Sequence, residues 1–291
     1  MKVQEIKNAI STFESLMEHL PKIKELHNPT SKVYPLISLV AKNEAMRLFS
    51  DDSTELKPFQ PFGNLAFPYF KMGAIDSVNL FALDELIMFS FYWINRSRYS
   101  RVLDIGANIG LHSIIMNFCG FQVRAFEPDP FHFEQLKKNL ELNHCQNVTS
   151  IKAAVSTENT NAEFVRVLGN TTSSHIKGDK NPYGELETFQ VELLNFNELI
   201  KDADLVKMDV EGHEKNIILS TEKSDWSTVD AILEVGSDNN ALHIFNHLQK
   251  IGVNAFAQKK GWQKVCSLDD MPASHRDGSL FISLKTTMPW E

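Results

Sequence analysis

The segment Arg101-Val-Leu-Asp-Ile-Gly-Ala-Asn-Ile-Gly110 decides the fold of this 291-residue chain. Apolar residues within 102–105 predict a short buried strand, and residues 106–110 predict a turn with almost no side-chain bulk. A ligand can lie directly against the backbone of such a turn. The apolar residues spaced through 109–119 predict a helix that leaves the turn. The segment therefore predicts a strand, a ligand-binding turn and a helix.

A second segment follows that helix, Gln122-Val-Arg-Ala-Phe-Glu-Pro-Asp-Pro130. It predicts a strand over 122–127 that carries Glu127 to its carboxyl end. The carboxyl ends of the strands form the ligand edge of a parallel α/β sheet, and an acid at the end of the second strand commonly binds two ribose hydroxyls. Together the two segments predict a nucleotide site. The alternative is a tight turn that binds no ligand.

The spacing of the small residues distinguishes two classes of cofactor. The dinucleotide pattern G-x-G-x-x-G would place its small residues at Gly106, Asn108 and Leu111, and two of the three do not fit. The pattern G-x-G-x-G, with Asn in the middle, matches Gly106, Asn108 and Gly110 and is the spacing of S-adenosylmethionine (SAM) sites. The turn therefore favours SAM over NAD and disfavours an NAD-linked oxidoreductase.

A cluster of ionisable residues ends a third apolar strand, in Asp204-Leu-Val-Lys-Met-Asp-Val-Glu-Gly-His-Glu214. In their order and spacing the three segments resemble the FkbM family of SAM-dependent methyltransferases, from about residue 101 to residue 236. The resemblance implies a class I methyltransferase fold and O-methylation, often of sugars or other natural-product hydroxyls. It does not name the acceptor.

Strand and helix patterns alternate after residue 100, which predicts right-handed crossovers and a parallel sheet. We expect an α/β fold with a class I methyltransferase, Rossmann-like sheet, mostly parallel, with helices on both faces and an antiparallel strand near the C-terminus. The predicted strands are 101–106, 122–127, 148–155, 161–168, 187–193, 204–209, 229–235, 253–257, 262–265 and 279–284. The predicted helices are 108–119, 130–142, 214–221 and 240–250.

The region before the first strand predicts a helical extension. Apolar residues recur at three- and four-residue steps, with a break near Pro21, at Ile6, Ile10, Phe13, Met17, Leu20, Ile23 and Leu26. We expect two parts, an N-terminal helical or irregular extension over 1–95 and a SAM-dependent methyltransferase domain over 96–291. The extension either lies on its own domain or serves as a lid or a homo-oligomer contact.

Charge and composition limit the classes of partner. The chain has 29 basic and 37 acidic side chains, a formal net charge of −8, which argues against nucleic acid as the main ligand. The three scattered cysteines, Cys119, Cys145 and Cys266, are typical of reduced thiols in a cytoplasmic protein. No apolar stretch is long enough to span a membrane, and no signal peptide is recognised. We therefore expect a cytoplasmic enzyme with a small-molecule or glycan substrate.

Several residues near the predicted turn suit the parts of SAM. Asp104 would accept amide hydrogen bonds or lie near the cationic part of SAM, and His112 would either contact the SAM carboxylate or cap its helix. Two small residues at the end of the third predicted strand, Ala153 and Ala154, leave room for the adenine. The residues expected to bind the cofactor are Asp104, Gly106, Ala107, Asn108, Gly110, His112, Glu127, Pro128, Ala153, Ala154 and Asp209.

Transfer to a sugar hydroxyl also requires a base or a metal ion to deal with the hydroxyl proton. The cluster after the fourth strand of the predicted parallel sheet supplies the expected catalytic residues, Lys207, Asp209, Glu211 and His213. Histidine has the pKa best suited to base work near neutrality, which favours His213 as the base. We expect Asp209 to contact both cofactor and substrate. An N-methyltransferase, which needs no strong base, and a noncatalytic partner subunit are the alternatives.

A metal ion is the alternative to a base. Asp209, Glu211 and Glu234 are oxygen ligands of the kind that bind Mg²⁺, but no dense acidic pair follows the fifth strand, so a metal-free base is favoured. The polar loop 169–175 has a composition suited to hydrogen-bonding a polyol, although a flexible hairpin loop has a similar composition. The expected substrate residues are Asn170, Thr171, Ser173, Ser174 and His175.

Overall fold

The computed structural model describes residues 11–179, 181 and 183–290. The α-helices are α1 (Thr12–His19), α2 (Tyr34–Phe49), α3 (Leu83–Ile94), α4 (Leu111–Phe118), α5 (Pro130–Leu142), α6 (Phe196–Leu199), α7 (Glu214–Leu219) and α8 (Asp238–Ile251). The strands are β1 (Lys57–Pro58), β2 (Asn64–Leu65), β3 (Arg101–Ile105), β4 (Gln122–Phe126), β5 (Val148–Ile151), β6 (Ala154–Ser156), β7 (Thr160–Val167), β8 (His175–Ile176), β9 (Leu186–Asn195), β10 (Leu205–Met208), β11 (Asp230–Leu233), β12 (Asn254–Ala257), β13 (Gln263–Lys264) and β14 (Leu280–Ser283).

The main sheet has eight strands in the order β13-β12-β14-β11-β10-β3-β4-β5. The five strands from β11 to β5 are mutually parallel, and β14 runs antiparallel between β11 and β12. The helices between the parallel strands provide the crossovers that this arrangement requires. The predicted α/β class, the mostly parallel sheet and the antiparallel strand near the C-terminus are confirmed.

The two faces of the sheet contribute to two hydrophobic clusters, because neighbouring residues of a strand point to opposite sides. Val102 packs in a cluster with apolar residues of α1 to α5, and Leu103 packs in a cluster with apolar residues of α6, α7 and α8. Helices therefore cover both faces, as predicted. The turns at the carboxyl ends of the parallel strands form the functional edge of the sheet.

Two predicted boundaries were wrong. The predicted strand 148–155 is two strands in different sheets, because Ile151 pairs with Phe126 whereas Ala154 pairs with Leu193. The strand β6 belongs to a separate sheet in the order β6-β9-β7-β8, and the strands predicted at 161–168 and 187–193 lie in this second sheet. Apolar periodicity identifies a strand but not its partner.

The helix predicted from residue 108 begins at Leu111 instead. The backbone φ angles of Asn108 and Gly110 are +52° and +90°, and a right-handed helix cannot include a residue in that conformation. The three residues before Leu111 therefore stay in the turn.

The N-terminal region packs against the same face of the sheet as α4 and α5. Phe13 of α1 and Val102 of β3 belong to one buried cluster, and the rings of Phe49 and Phe81 stack with centroids 4.4 Å apart. The helix α1 ends before Pro21, as predicted, whereas the positions Ile6 and Ile10 lie outside the described residues. None of the described helices is long and apolar enough to cross a membrane.

A short backbone clasp joins the N-terminal region to the second sheet. The Thr171 N–H donates to the Met72 carbonyl at 3.0 Å, and the Ala74 N–H donates to the Gly169 carbonyl at 2.8 Å. Gly73 lies between these bonds with φ +89°, and a Cβ there would meet the Gly169 oxygen at 2.3 Å. The clasp therefore requires glycine at position 73.

Replacing Gly73 with alanine tests this requirement. We expect Gly73→Ala to lower the free energy of unfolding in urea by more than about 2 kcal/mol. A left-handed backbone at a non-glycine residue costs about 1–2 kcal/mol by itself, and the contact with Gly169 adds to that cost.

The matched control is Gly63→Ala. Gly63 also has a positive φ, +103°, but a Cβ there meets nothing within 4 Å. Equal losses of stability in the two variants would show that the backbone contact at Gly73 contributes nothing.

Candidate active site

A cavity of about 450 Å³ opens at the carboxyl end of the parallel strands. Residues from three parts of the chain line it, namely the N-terminal region, the strand ends with the second sheet, and the C-terminal tail. Of the residues predicted from the sequence, the cavity is lined by Gly106, Asn108, Glu127, Pro128, Ala153, Ala154, Asn170, Thr171, Ser173, Ser174, Asp209, Glu211 and Glu234.

The turn after β3 forms one wall. The amides of Gly106 and Ala107 donate to the Phe126 carbonyl at 3.0 and 2.9 Å, which holds the turn beside the end of β4. A Cβ at Gly106 would lie 1.8 Å from the Asp209 carbonyl oxygen, so glycine is required for the close approach of the two turns. The buried side-chain oxygen of Asn108 has no hydrogen-bond partner within the described residues. That oxygen can accept a hydrogen bond from a ligand.

The carboxylate of Glu127 is built into this wall. It accepts the Asn108 N–H and the Asp129 N–H, each at 2.8 Å, and the side chain is almost fully buried. Burial raises the pKa of Glu127 to about 8. Each carboxylate oxygen retains a second lone-pair direction. Hydroxyl donors from a ligand favour the charged form and lower this pKa, and the carboxylate can then accept two of them without giving up the amides.

Asp129 and His132 form the next part of the wall, at the start of α5. Asp129 caps the helix and receives two hydrogen bonds of 2.6 Å from the Arg166 guanidinium, which keeps the pKa of Asp129 low despite its burial. Burial lowers the pKa of His132, whose Nε2 lies 2.9 Å from the Thr171 hydroxyl. This pairing connects α5 to the loop that the clasp holds.

The opposite end of the cavity is acidic. Asp209 and Glu211 follow β10, Glu234 follows β11, and Glu85 projects from the first turn of α3. Burial, reinforced by the charges of Asp209 and Glu211, raises the pKa of Glu234 to about 9. Glu234 is therefore protonated at neutral pH. This end of the cavity suits a ligand that carries positive charge or donates hydrogen bonds.

Two predicted residues support the turn from behind. Lys207 donates to the Gly106 carbonyl at 3.0 Å and lies 3.5 Å from the fully buried Asp104. Burial works against the ammonium charge, but Asp104, Asp209 and Glu85 outweigh it and raise the pKa of Lys207. Asp104 also accepts the Ser113 hydroxyl at 2.6 Å. Neither side chain lines the cavity.

His213 does not occupy the position expected of a base. Its Nε2 lies 2.9 Å from the Ser156 hydroxyl, its Nδ1 lies 2.9 Å from the Asp179 carboxylate, and the side chain is 7% exposed. It does not line the cavity, because the chain turns sharply at Glu211 and directs the next residues toward the second sheet. His213 therefore bridges β6, the segment after β8 and the start of α7.

The remaining predicted residues also lie outside the cavity. His112 is held between the Tyr92 hydroxyl, 3.0 Å from its Nδ1, and the Glu85 carboxylate, 2.8 Å from its Nε2. His175 is buried in β8 with its Nδ1 2.9 Å from the Ser173 carbonyl. Ala107 and Gly110 shape the turn from its buried side. None of these four residues lines the cavity. His112 contacts the cavity-lining residue Glu85 and can influence the cavity only through it.

Asp129, His132, Asn79 and His275 are among the cavity residues that were not predicted, and their signals in the sequence differ. Asp129 and His132 lie in or just after the second quoted segment, so their place at the start of a helix beside Glu127 could have been found. Asn79 and His275 lie far from every quoted segment. Only the packing of the chain brings these two residues to the cavity.

The donor set fits a nucleoside that carries a cationic group. Glu127 can accept two ribose hydroxyls, Ala153 and Ala154 leave space for a flat base, and the acidic end faces the cation. Within the residues that the structure describes, no group of three or more His, Cys, Asp or Glu side chains is placed to hold a metal ion.

Comparisons with known proteins agree with this geometry. The sequence model of the methyltransferase FkbM domain matches residues 104–254. "Methyltransferase 1" of Beauveria bassiana is 26% identical over 157 residues, which is 46% of this chain and 63% of that protein. "Methyltransferase sdnD" of Sordaria araneosa is 25% identical over 164 residues, 44% of this chain and 62% of that protein. The chain thus spans less than two thirds of either relative.

Solved structures are similar at a lower level. A precorrin-6y C5,15-methyltransferase from Geobacter metallireducens is 15% identical with a TM-score of 0.36, covering 66% of this chain and 84% of its own. A SAM-dependent methyltransferase from Agrobacterium tumefaciens is 9% identical with a TM-score of 0.38, covering 69% and 62%. Scores this low transfer no property to the present chain.

The raised pKa of Glu234 makes stability depend on pH. Between pH 4.5, the ordinary pKa of this carboxyl, and about pH 9, the folded chain retains a proton that the unfolded chain has released. Glu234 therefore lowers the free energy of unfolding as the pH rises through this range. Glu234→Gln removes that titration. We expect the wild type to lose at least about 1 kcal/mol more than the variant between pH 5 and pH 9, the equivalent of about one pKa unit, in urea unfolding at the two pH values.

The exposed Glu158 provides the matched control. Glu158→Gln should leave the wild-type pH dependence unchanged. If Glu234→Gln lost as much stability as the wild type over this range, the carboxyl would not be protonated in the folded state.

Proposed function

The chain belongs to the FkbM family of methyltransferases, and from that premise we propose that it transfers the methyl group of SAM to a hydroxyl of a saccharide or a related polar natural product. One observation carries the proposal. The buried carboxylate of Glu127 stands at the end of the second parallel strand, beside a turn whose backbone is open to a ligand. This is the arrangement that binds the ribose of a nucleoside cofactor.

We assign each part of the cofactor to one part of the wall. Glu127 accepts the ribose hydroxyls, Ala153 and Ala154 flank the adenine, and the Asn108 side-chain oxygen accepts a donor from the nucleoside. The acidic end, with Glu85 and Asp209, faces the cationic part. When bound, SAM supplies an electrophilic methyl group on a positively charged sulfur.

The acceptor occupies the space between the acidic end and the polar loop. Asn170, Thr171, Ser173 and Ser174 present hydroxyl and amide groups to the cavity, which suits a polyhydroxylated molecule. Protonated Glu234 can donate a hydrogen bond while Asp209 accepts one, so the pair can orient neighbouring hydroxyls. Fixing the acceptor oxygen in line with the methyl group can supply several kcal/mol of the rate enhancement, up to about 7–11 kcal/mol.

Cofactor binding can be tested before any acceptor is known. We expect Glu127→Ala to raise the Kd for SAM at least about 10-fold in calorimetry, because a hydrogen bond to a charged group contributes about 1.5–3 kcal/mol. The wild type should bind SAM and S-adenosylhomocysteine but not NAD. Thermal melting of each variant checks that it is folded.

Glu141→Ala is the matched control, because Glu141 lies exposed on α5 in the same part of the fold. It should bind SAM as the wild type does. Tight NAD binding without SAM binding would overturn the assignment of the cofactor.

A screen of nucleotide sugars and glycan fragments with methyl-labelled SAM tests the reaction itself. We expect label in a sugar methyl ether, which remains intact in mild base. Label on an amine nitrogen would replace the proposed hydroxyl acceptor with an amine.

A further inference from the structure

His275 stands at the rim of the cavity, in the tail that follows β13. Its position follows from the register of the sheet. Leu280 at the start of β14 pairs with Leu233 at the end of β11, and β14 runs antiparallel to β11. The residues just before β14 therefore lie beside the residues just after β11. His275 lies five residues before Leu280, and both His275 and Glu234 line the cavity.

The turn that carries His275 is anchored at both ends. The Asp277 carboxylate accepts the Ala273 N–H at 2.9 Å, which closes the turn around His275. The Ser279 N–H donates to the Gln258 side chain at 3.0 Å. Gly278 lies so close to Gln258 that a Cβ would come within 2.4 Å of it. The His275 imidazole therefore projects from a turn whose backbone is held by hydrogen bonds.

Gln258 also connects this turn to the rest of the cavity. Its side chain is fully buried and donates to the His27 carbonyl at 3.2 Å and to the Asp84 carboxylate. Asp84 directly precedes Glu85, which lines the acidic end. The turn of His275 is thus tied to the helix that supplies another residue of the same end.

Most of the other proton acceptors in the cavity are engaged. Glu127 accepts two backbone amides, Asp129 is paired with Arg166, and Glu85 is paired with His112. His132 is buried against Thr171. Each of these four groups therefore already holds a contact that shapes the cavity.

The carboxyl groups after β10 and β11 are less suited than a histidine to accept the proton of the acceptor. Glu234 already carries a proton at neutral pH, so it cannot accept another. Asp209 and Glu211 also line this end, but a histidine is better matched than a carboxylate to proton transfer near neutrality. His275 is exposed to solvent, so it can pass a proton to water after each turnover.

We propose that His275 is the general base of the methyl transfer, an inference that rests on the proposed function. The acceptor O–H bond breaks and its proton moves to an imidazole nitrogen. The oxygen electron pair forms the new bond to the methyl carbon, and the pair of the breaking carbon–sulfur bond stays on sulfur. The imidazolium then releases its proton to water. His275 lies outside residues 104–254, so the family match does not include it.

The test compares His275→Ala with His243→Ala. His243 is an exposed histidine of α8 and lies outside the tail that carries His275. With the acceptor found in the screen, we expect His275→Ala to lower kcat at least about 100-fold at pH 7, the usual lower range for general base catalysis. His243→Ala should retain wild-type kcat. Added imidazole should restore part of the activity of His275→Ala, because it can occupy the vacated space and take the proton.

The Kd for SAM, measured by calorimetry, separates the two proposals. His275→Ala with unchanged SAM affinity, lost turnover and imidazole rescue supports the base assignment. Unchanged kcat, or a loss that imidazole does not reverse while Asp209→Asn abolishes turnover, overturns it in favour of Asp209. Failure of the wild type to bind SAM would instead overturn the proposed function.

Discussion

The Gly106 backbone passes so close to the Asp209 carbonyl that a single methyl group on Gly106 would lie 1.8 Å from that oxygen. This contact joins the turn after β3 to the turn after β10. The first turn carries the Asn108 amide that donates to Glu127, and the second carries Asp209 and Glu211 into the cavity. The turn beside Glu127 and the acidic end of the cavity are therefore adjacent because Gly106 has no side chain.

The fold was predictable from the sequence because its signals are local. The alternation of apolar strands with amphipathic helices identified the parallel sheet, and the small residues from Gly106 to Gly110 identified the turn. The position of Glu127 in the cavity followed from its place at a strand end. The split at Ile151 was not predictable, because strand partners are decided by tertiary packing.

The details of the candidate site show the same limit. Lys207, Asp209 and Glu211 alternate along the sequence and would share one face of a continuing strand, but β10 ends at Met208 and the chain then turns. Lys207 consequently supports Gly106 from behind, and His213 points to Ser156 instead of the cavity. A residue type suited to base chemistry was present in the motif, but the backbone beyond the strand decides where it points.

The buried carboxyls at both ends of the cavity carry an electrostatic cost. Burial and like charges raise the pKa of Glu234, and burial raises that of Glu127, so each carboxyl can lose its proton only at a free-energy cost. A cation or a set of hydroxyl donors placed among these groups reduces that cost. The folded chain thus retains groups that lower its own stability at higher pH. This is the pattern expected of a binding site, where the ligand supplies the contacts that the protein leaves unmade.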